Sequence, residues 1–157
     1  MAQNERKALV ISSSAFQHQG SIPVQYTCEG QGINPPLSIE GIPHGTQSLA
    51  IIAEDPDTSK GTFDHWLVWN IPVNSQVTQD TVPGISGMNS SGKTGYHPPC
   101  PPDGSHRYFF YVFALDNELD LPSGADKQAL QAAMRDHILA SGTLMGRYEK
   151  MQNTAGK

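Results

Sequence analysis

SLAIIAEDPDTSKGTFDHWLVWNIP, residues 48–72, holds two apolar runs separated by a polar, glycine-containing link. The first run ends in Asp55-Pro56-Asp57 and the second opens at His65. Strand, link and strand make an antiparallel hairpin, which sets Asp55 and His65 at one edge of a sheet. SHRYFFYVFALD, residues 105–116, is a third strand that also opens on a histidine, His106. Paired antiparallel to residues 49–54, it brings His106 to the same edge. All three runs are apolar at nearly every position, the pattern of strands covered on both faces.

Around that centre the chain is rich in turns. Its 157 residues include 15 Gly and 12 Pro, and 37% are apolar, which suits one loop-rich β domain over residues 1–157 better than a helical bundle. Net charge is −5 with only 10 Lys and Arg and no basic block, so the composition argues against nucleic acid or an anionic membrane surface as a partner. No apolar run is long enough for a signal segment or a membrane span. Cys28 and Cys100 do not make a disulfide framework and read as free thiols in a reducing, cytoplasmic setting.

In chain order, residues 8–16 and 21–28 read as strands, and LSIE, Leu37–Glu40, alternates as a half-buried strand does. Residues 72–105 show little periodicity and end in Pro98-Pro99-Cys100-Pro101-Pro102. A segment that far beyond about 15 residues is a functional feature or disordered, and its prolines make a stiff wall leading into His106. Residues 121–142 follow with a helical stripe of Leu130, Ala133, Met134, His137 and Ile138. Ser123 is the expected N-cap with Asp126 three residues on, and Gly142 the expected stop. Residues 143–148 read as a final edge strand, a feature that permits a homodimer.

Asp55, Asp57, His65 and His106 are the candidate site. Singly, each has an ordinary explanation, since Asp-Pro-Asp is good turn chemistry and a histidine at a strand mouth satisfies backbone groups. Beside a rigid loop, the four together point to a pocket. A histidine pair near neutral pH donates to a phosphate-like anion, while a carboxylate orients an imidazole or accepts from an ammonium. Tyr108 shares a strand face with His106, as a pocket hydroxyl or a core residue. Arg107 points the other way, toward an acidic loop.

Two His and one Asp also make a facial-triad ligand set, but without HxH or HExxH spacing, so no metal or other cofactor is expected. No Ser or Cys occupies a nucleophile elbow, and Cys100 has no basic neighbour to activate it. His18, His44, His97 and His137 read as surface or packing residues, and Trp66 and Trp69 as core.

DPDTSKGTFDHWLVWNIP (residues 55–72) followed by PPCPPDGSHRYFFYVFALD (residues 98–116) resembles the phosphatidylethanolamine-binding protein family, in its prokaryotic Raf-kinase-inhibitor-like branch. NPPLSIEGIP (34–43) and DHILASGTLMGRYEK (136–150) resemble its early strand and its closing helix and strand, so the likeness runs along nearly the whole chain. The resemblance implies an antiparallel β-sandwich with Greek-key features, flanked by a few short helices, and a small anion pocket at one end of the central sheet. By motif, Asp55 and His65 match the pocket's first block, His106 and Tyr108 its second, Pro101 and Pro102 its wall, and Asp57 a position beside it. SSGKTGYHPPC (90–100) departs from the branch's more Gly-rich version. The chain stops too soon after Tyr148 for the eukaryotic members' extra C-terminal helix, which implies a more open pocket.

Three functions compete. The first is a non-catalytic, regulatory binding module for phosphate, a phosphoethanolamine-like headgroup or a phosphorylated partner. The second is a metal-assisted or general acid–base hydrolase using the His/Asp cluster. The third is an interaction protein that inhibits a kinase or protease through its loops, although kinase inhibition does not follow from fold alone.

Overall fold

A computed structural model describes residues 7–151. Among them run β1 (Lys7–Ala8), β2 (Val10–Ser12), β3 (Leu37–Glu40), β4 (Ser48–Thr58), β5 (Gly61–Ile71) and β6 (Gln76–Val77). β7 (Ile85–Ser86), β8 (His106–Leu115), α1 (Lys127–Met134) and β9 (Ile138–Tyr148) follow. The larger sheet has the order β1-β9-β8-β4-β5-β7 and the smaller β2-β3-β6. Every pairing is antiparallel except β1 with β9. The protein is mainly β, as expected.

β4 shows why its residues are apolar throughout. Leu49, Ile51 and Ala53 pack on one face with Ile11 of β2, Leu37 and Ile39 of β3 and Val77 of β6. Ala50 and Ile52 pack on the other face with Leu130 and Met134 of α1. One face is thus closed by the small sheet and the other by the helix. Each fully buried Leu or Ile contributes about 1.5–3 kcal/mol relative to an exposed one. Trp66 and Trp69 lie in the two clusters, as core residues.

Several expectations need correction. The hairpin strands continue through Asp-Pro-Asp to a tight turn at residues 59–60, so the polar link is mostly strand. Residues 8–16 are not one strand. Leu9 separates β1, which joins the large sheet, from β2, which joins the small one. Residues 21–28 are not a strand either. Pro23, at φ −61°, introduces a 3₁₀ turn over Val24–Tyr26, and the Thr27 amide and hydroxyl both donate to the Val24 carbonyl. Residues 72–105 hold β6, β7 and a Met88–Thr94 bridge.

The helix is shorter than its apolar stripe. Asp126, not Ser123, is the N-cap and accepts from the Ala129 amide at 2.9 Å. Asp136, at φ +70°, turns the chain after Met134, so Ile138 opens β9 instead of extending α1. Gly142 lies within β9, where an added Cβ would sit 2.3 Å from the Leu9 carbonyl oxygen. β9 is not an edge strand along its whole length, because β1 pairs with Ala140 and Ser141 and Ser21 bridges Arg147.

Cys28 and Cys100 are not free thiols; they form a disulfide with Cα atoms 5.4 Å apart. A sequence separation of 72 hid this, because only the docking of the 3₁₀ turn on the proline-rich loop brings them together. Disulfides persist in oxidising compartments, so the expectation of a reducing, cytoplasmic setting loses its support. Among the described residues, no helix is long and apolar enough to cross a membrane.

Candidate functional site

A β-bulge aims His65. Ala53 pairs with Trp66 and Glu54 pairs with Asp64, leaving His65 as the extra residue of β5. Strict alternation would send His65 to the helix-covered face. The bulge keeps it on the side of Trp66 and sends Asp64 to the opposite face, beside Glu54, where Lys127 of α1 binds both carboxylates. Re-aiming a side chain is what bulges do beside binding sites.

On the small-sheet face, Asp55 pairs with Phe63 across the hairpin, and β8 lies on the other side of β4. Alternation along β8 places His106 and Tyr108 on this face and Arg107 on the other. Asp55 is buried, and its Oδ2 lies 2.6 Å from His106 Nδ1 while its Oδ1 accepts from the Asp57 amide at 2.7 Å. The cavity above these groups has a volume of about 210 Å³ and is lined by Asp55, His65, His106 and Tyr108, with Pro101 and Pro102 forming a wall. That is below the range of about 300–1,000 Å³ found for drug-sized ligands, so the site suits a small group.

Four ties hold the wall. The disulfide anchors Cys100, and the Cys28 amide donates to the Pro99 carbonyl. The His97 amide donates to the His65 carbonyl at 2.8 Å, and the Tyr96 hydroxyl donates to the Tyr26 carbonyl at 2.8 Å. The prolines restrict φ along the wall, and these cross-links tie it to β5 and to the segment around Tyr26 and Cys28.

The ring nitrogens are committed in a definite way. His65 Nδ1 lies 2.7 Å from the His97 carbonyl oxygen, and a carbonyl only accepts, so Nδ1 carries the proton. His106 Nδ1 donates to the Asp55 carboxylate by the same logic. Neither Nε2 has a protein partner among the described residues, and neither is sealed from solvent. Both therefore open on the cavity. Burial pushes His65 down to about 4, so it is neutral at physiological pH. Burial also pushes His97 down. Burial, with Asp55 nearby, pushes the Tyr108 hydroxyl up, so it remains protonated.

Asp57 is the one candidate that does not line the cavity. Its Oδ2 accepts from the Arg107 backbone amide and Nε, both at 2.9 Å, and its Oδ1 from Nη2 at 2.8 Å. Those bonds hold the Asp57 carboxyl down to about 2. The acidic partner expected for Arg107 is thus Asp57, which ties β4 to β8 just beyond the pocket.

His97, Phe63 and Thr58 were not singled out from the sequence, yet all three line the cavity. The Phe63 ring is 4.7 Å from His65 and 5.1 Å from His97 between centroids. His97 carried a signal in its place directly before the proline run. Of the other histidines, His18 accepts from the Met145 amide and His137 pairs with Asp116, both in structural roles. Cys100 lines the cavity as half of the disulfide, so it offers no thiolate there. Among the described residues, no group of three or more His, Cys, Asp or Glu side chains converges as a metal site.

Comparison with known proteins agrees with this architecture. The model of the phosphatidylethanolamine-binding protein family matches residues 12–149. A UPF0098 protein of Methanothermobacter thermautotrophicus is 43% identical over 148 residues, covering 89% of this chain and 98% of the relative. A UPF0098 protein of Chlamydia trachomatis is 44% identical over 147 residues, with 89% and 98% covered. Among solved structures, the Chlamydia trachomatis homolog CT736 superposes with a TM-score of 0.88 at 42% identity, covering 92% of this chain and 99% of that one. E. coli YbcL, described as a member of the mammalian family, superposes with a TM-score of 0.83 at 25% identity, covering 90% and 98%. The chain belongs to the phosphatidylethanolamine-binding protein family.

Proposed function

We propose that the protein is a non-catalytic, regulatory binding module whose cavity takes a small phosphate-bearing group, as a free headgroup or on a phosphorylated partner. The observation that carries this reading is the pair of unpartnered Nε2 atoms of His65 and His106, held by fixed Nδ1 bonds in a small cup walled by Phe63, Pro101 and Pro102. A few placed polar groups in an apolar pocket are how small-ligand sites fix orientation. The buried Asp55 carboxylate orients His106, while the proline wall and Phe63 limit the ligand to a small head. Family membership supports the same reading.

Calorimetric titration of phosphoethanolamine at pH 6 tests it. His106→Asn keeps a donor for Asp55 but removes Nε2, so a folded variant isolates the binding atom. The expected result is saturable one-to-one binding in the wild type, weakened at least about tenfold in the variant, the loss of about one charge-assisted hydrogen bond. No heat in the wild type, or equal affinity in the two proteins, sinks the proposal.

A further inference from the structure

A second cavity, of about 250 Å³, shares no lining residue with the first. Neighbours in sequence divide between the two. His65 lines the first and Trp66 the second, and in the wall His97 lines the first and Tyr96 the second. Trp66 is only 2% exposed, yet its Nε1–H meets no acceptor among the described residues and is not sealed from solvent. Trp69, by contrast, donates its Nε1–H to the Leu121 carbonyl at 3.1 Å. A buried indole donor ordinarily finds a partner, so the open one at Trp66 calls for an acceptor supplied by a ligand.

The buried Asn34 fixes the rim. Its carbonyl accepts from the Asp80 amide at 3.2 Å and its Oδ1 from the Thr81 amide at 2.9 Å, while its Nδ2 donates to the Thr78 carbonyl at 3.1 Å. Asp80, held there at φ +55°, lines the cavity, and its exposed carboxylate makes no hydrogen bond or ion pair among the described residues. No Lys, Arg or His lines this cavity, so nothing in it compensates an anion. The Tyr96 hydroxyl is committed to the Tyr26 carbonyl, which leaves its ring, 5.6 Å from Trp66 between centroids, as an aromatic lining that favours a cation. Ile33 and Val82 add apolar surface.

We infer that this second cavity binds a protonated amine that carries a neutral carbonyl and a short apolar side chain, the chemistry shared by amino-acid amides and peptide N-termini. The ammonium pairs with Asp80, the carbonyl oxygen accepts from Trp66 Nε1–H, and the side chain lies on Ile33 and Val82. A free amino acid fits less well, because its carboxylate faces Asp80 with no cation nearby. The inference is independent of the reading proposed for the first cavity.

The test is proton–nitrogen correlation NMR of the full, disulfide-bonded chain at pH 6.5, where an α-amino group with a pKa of about 7.7–8.0 is charged. The probes are leucinamide, leucine, N-acetyl-leucinamide and the tripeptide amide Leu-Gly-Gly-NH2. The chain has two tryptophans, so two indole signals appear and Trp69 is the internal control. Leucinamide moves the Trp66 signal saturably and leaves that of Trp69 in place. Leucine and N-acetyl-leucinamide bind at least about tenfold more weakly, the loss of one charge-assisted hydrogen bond. Asp80→Asn, which tolerates a positive φ, weakens leucinamide by a similar factor and leaves the rest of the spectrum unchanged. A tripeptide amide that binds like leucinamide assigns the site to peptide N-termini, and one that does not bind assigns it to small amino amides. A Trp66 signal unmoved by leucinamide, equal affinity for leucine or the acetylated amide, or full affinity in Asp80→Asn overturns the inference.

Discussion

His106 Nδ1 lies 2.6 Å from Asp55 Oδ2, with side chains only 9% and 3% exposed. The two residues stand 51 positions apart and meet because β4 and β8 are paired antiparallel neighbours at the centre of the large sheet. The bond satisfies a buried carboxylate and fixes the imidazole whose other nitrogen opens on the cavity.

Removing that imidazole strands the carboxylate. His106→Ala is expected to destabilise the fold by about 3–5 kcal/mol, the usual cost of breaking a buried pair from one side. His106→Asn recovers most of the loss, because its amide donates to Asp55. Urea unfolding of both variants checks this, and equal destabilisation by Ala and Asn contradicts it.

His65 makes stability depend on pH. The folded ring is held at about 4 against the ordinary 6.5, so between those values the unfolded chain binds more protons. Stability therefore rises with pH across that window and is lost as pH falls from 6.5 to 4, by about 3 kcal/mol from this group. His65→Gln flattens the profile in urea titrations at pH 7 and 4.5. A His65 ring that titrates near 6.5 by NMR contradicts the prediction.

The disulfide closes a loop with a sequence separation of 72. In the loop-entropy account, its loss costs about 4 kcal/mol, or a Tm lower by about 10 °C. Thermal unfolding with and without reductant, and of a Cys28→Ser, Cys100→Ser double variant, measures this. Phosphoethanolamine affinity falls with it, since Cys100 anchors the wall. Unchanged Tm and affinity on full reduction count against a structural role for the bond.

Asp55 and Asp57, two residues apart, have separate tasks. Asp57→Asn leaves phosphoethanolamine affinity within about twofold, because its contacts are with Arg107 outside the cavity. Asp55→Asn weakens binding about tenfold or more, because the bond that orients His106 changes from charge-assisted to neutral. Calorimetry on the pair decides it, and equal losses refute the division.

The sequence by itself determined the mainly β fold and the three central strands, because residues 49–53, 65–71 and 108–115 are apolar on both faces. It also set the hairpin that brings Asp55 and His65 toward one end, since hairpin connection and the two-residue period are local properties, whereas the β4–β8 pairing that adds His106 and Tyr108 is a contact across 51 residues. Tertiary structure decided what rests on distant contacts or register shifts. Only pairing reveals the bulge that turns His65 toward the cavity and Asp64 away from it. Docking of the 3₁₀ turn on the proline loop made Cys28 and Cys100 one disulfide. Packing of the wall on β5 carried His97 into the cavity and placed its carbonyl on His65 Nδ1, so the protonation of the site is set by a contact across 32 residues. Such contacts leave no period in the sequence, because they depend on where the backbone has already gone.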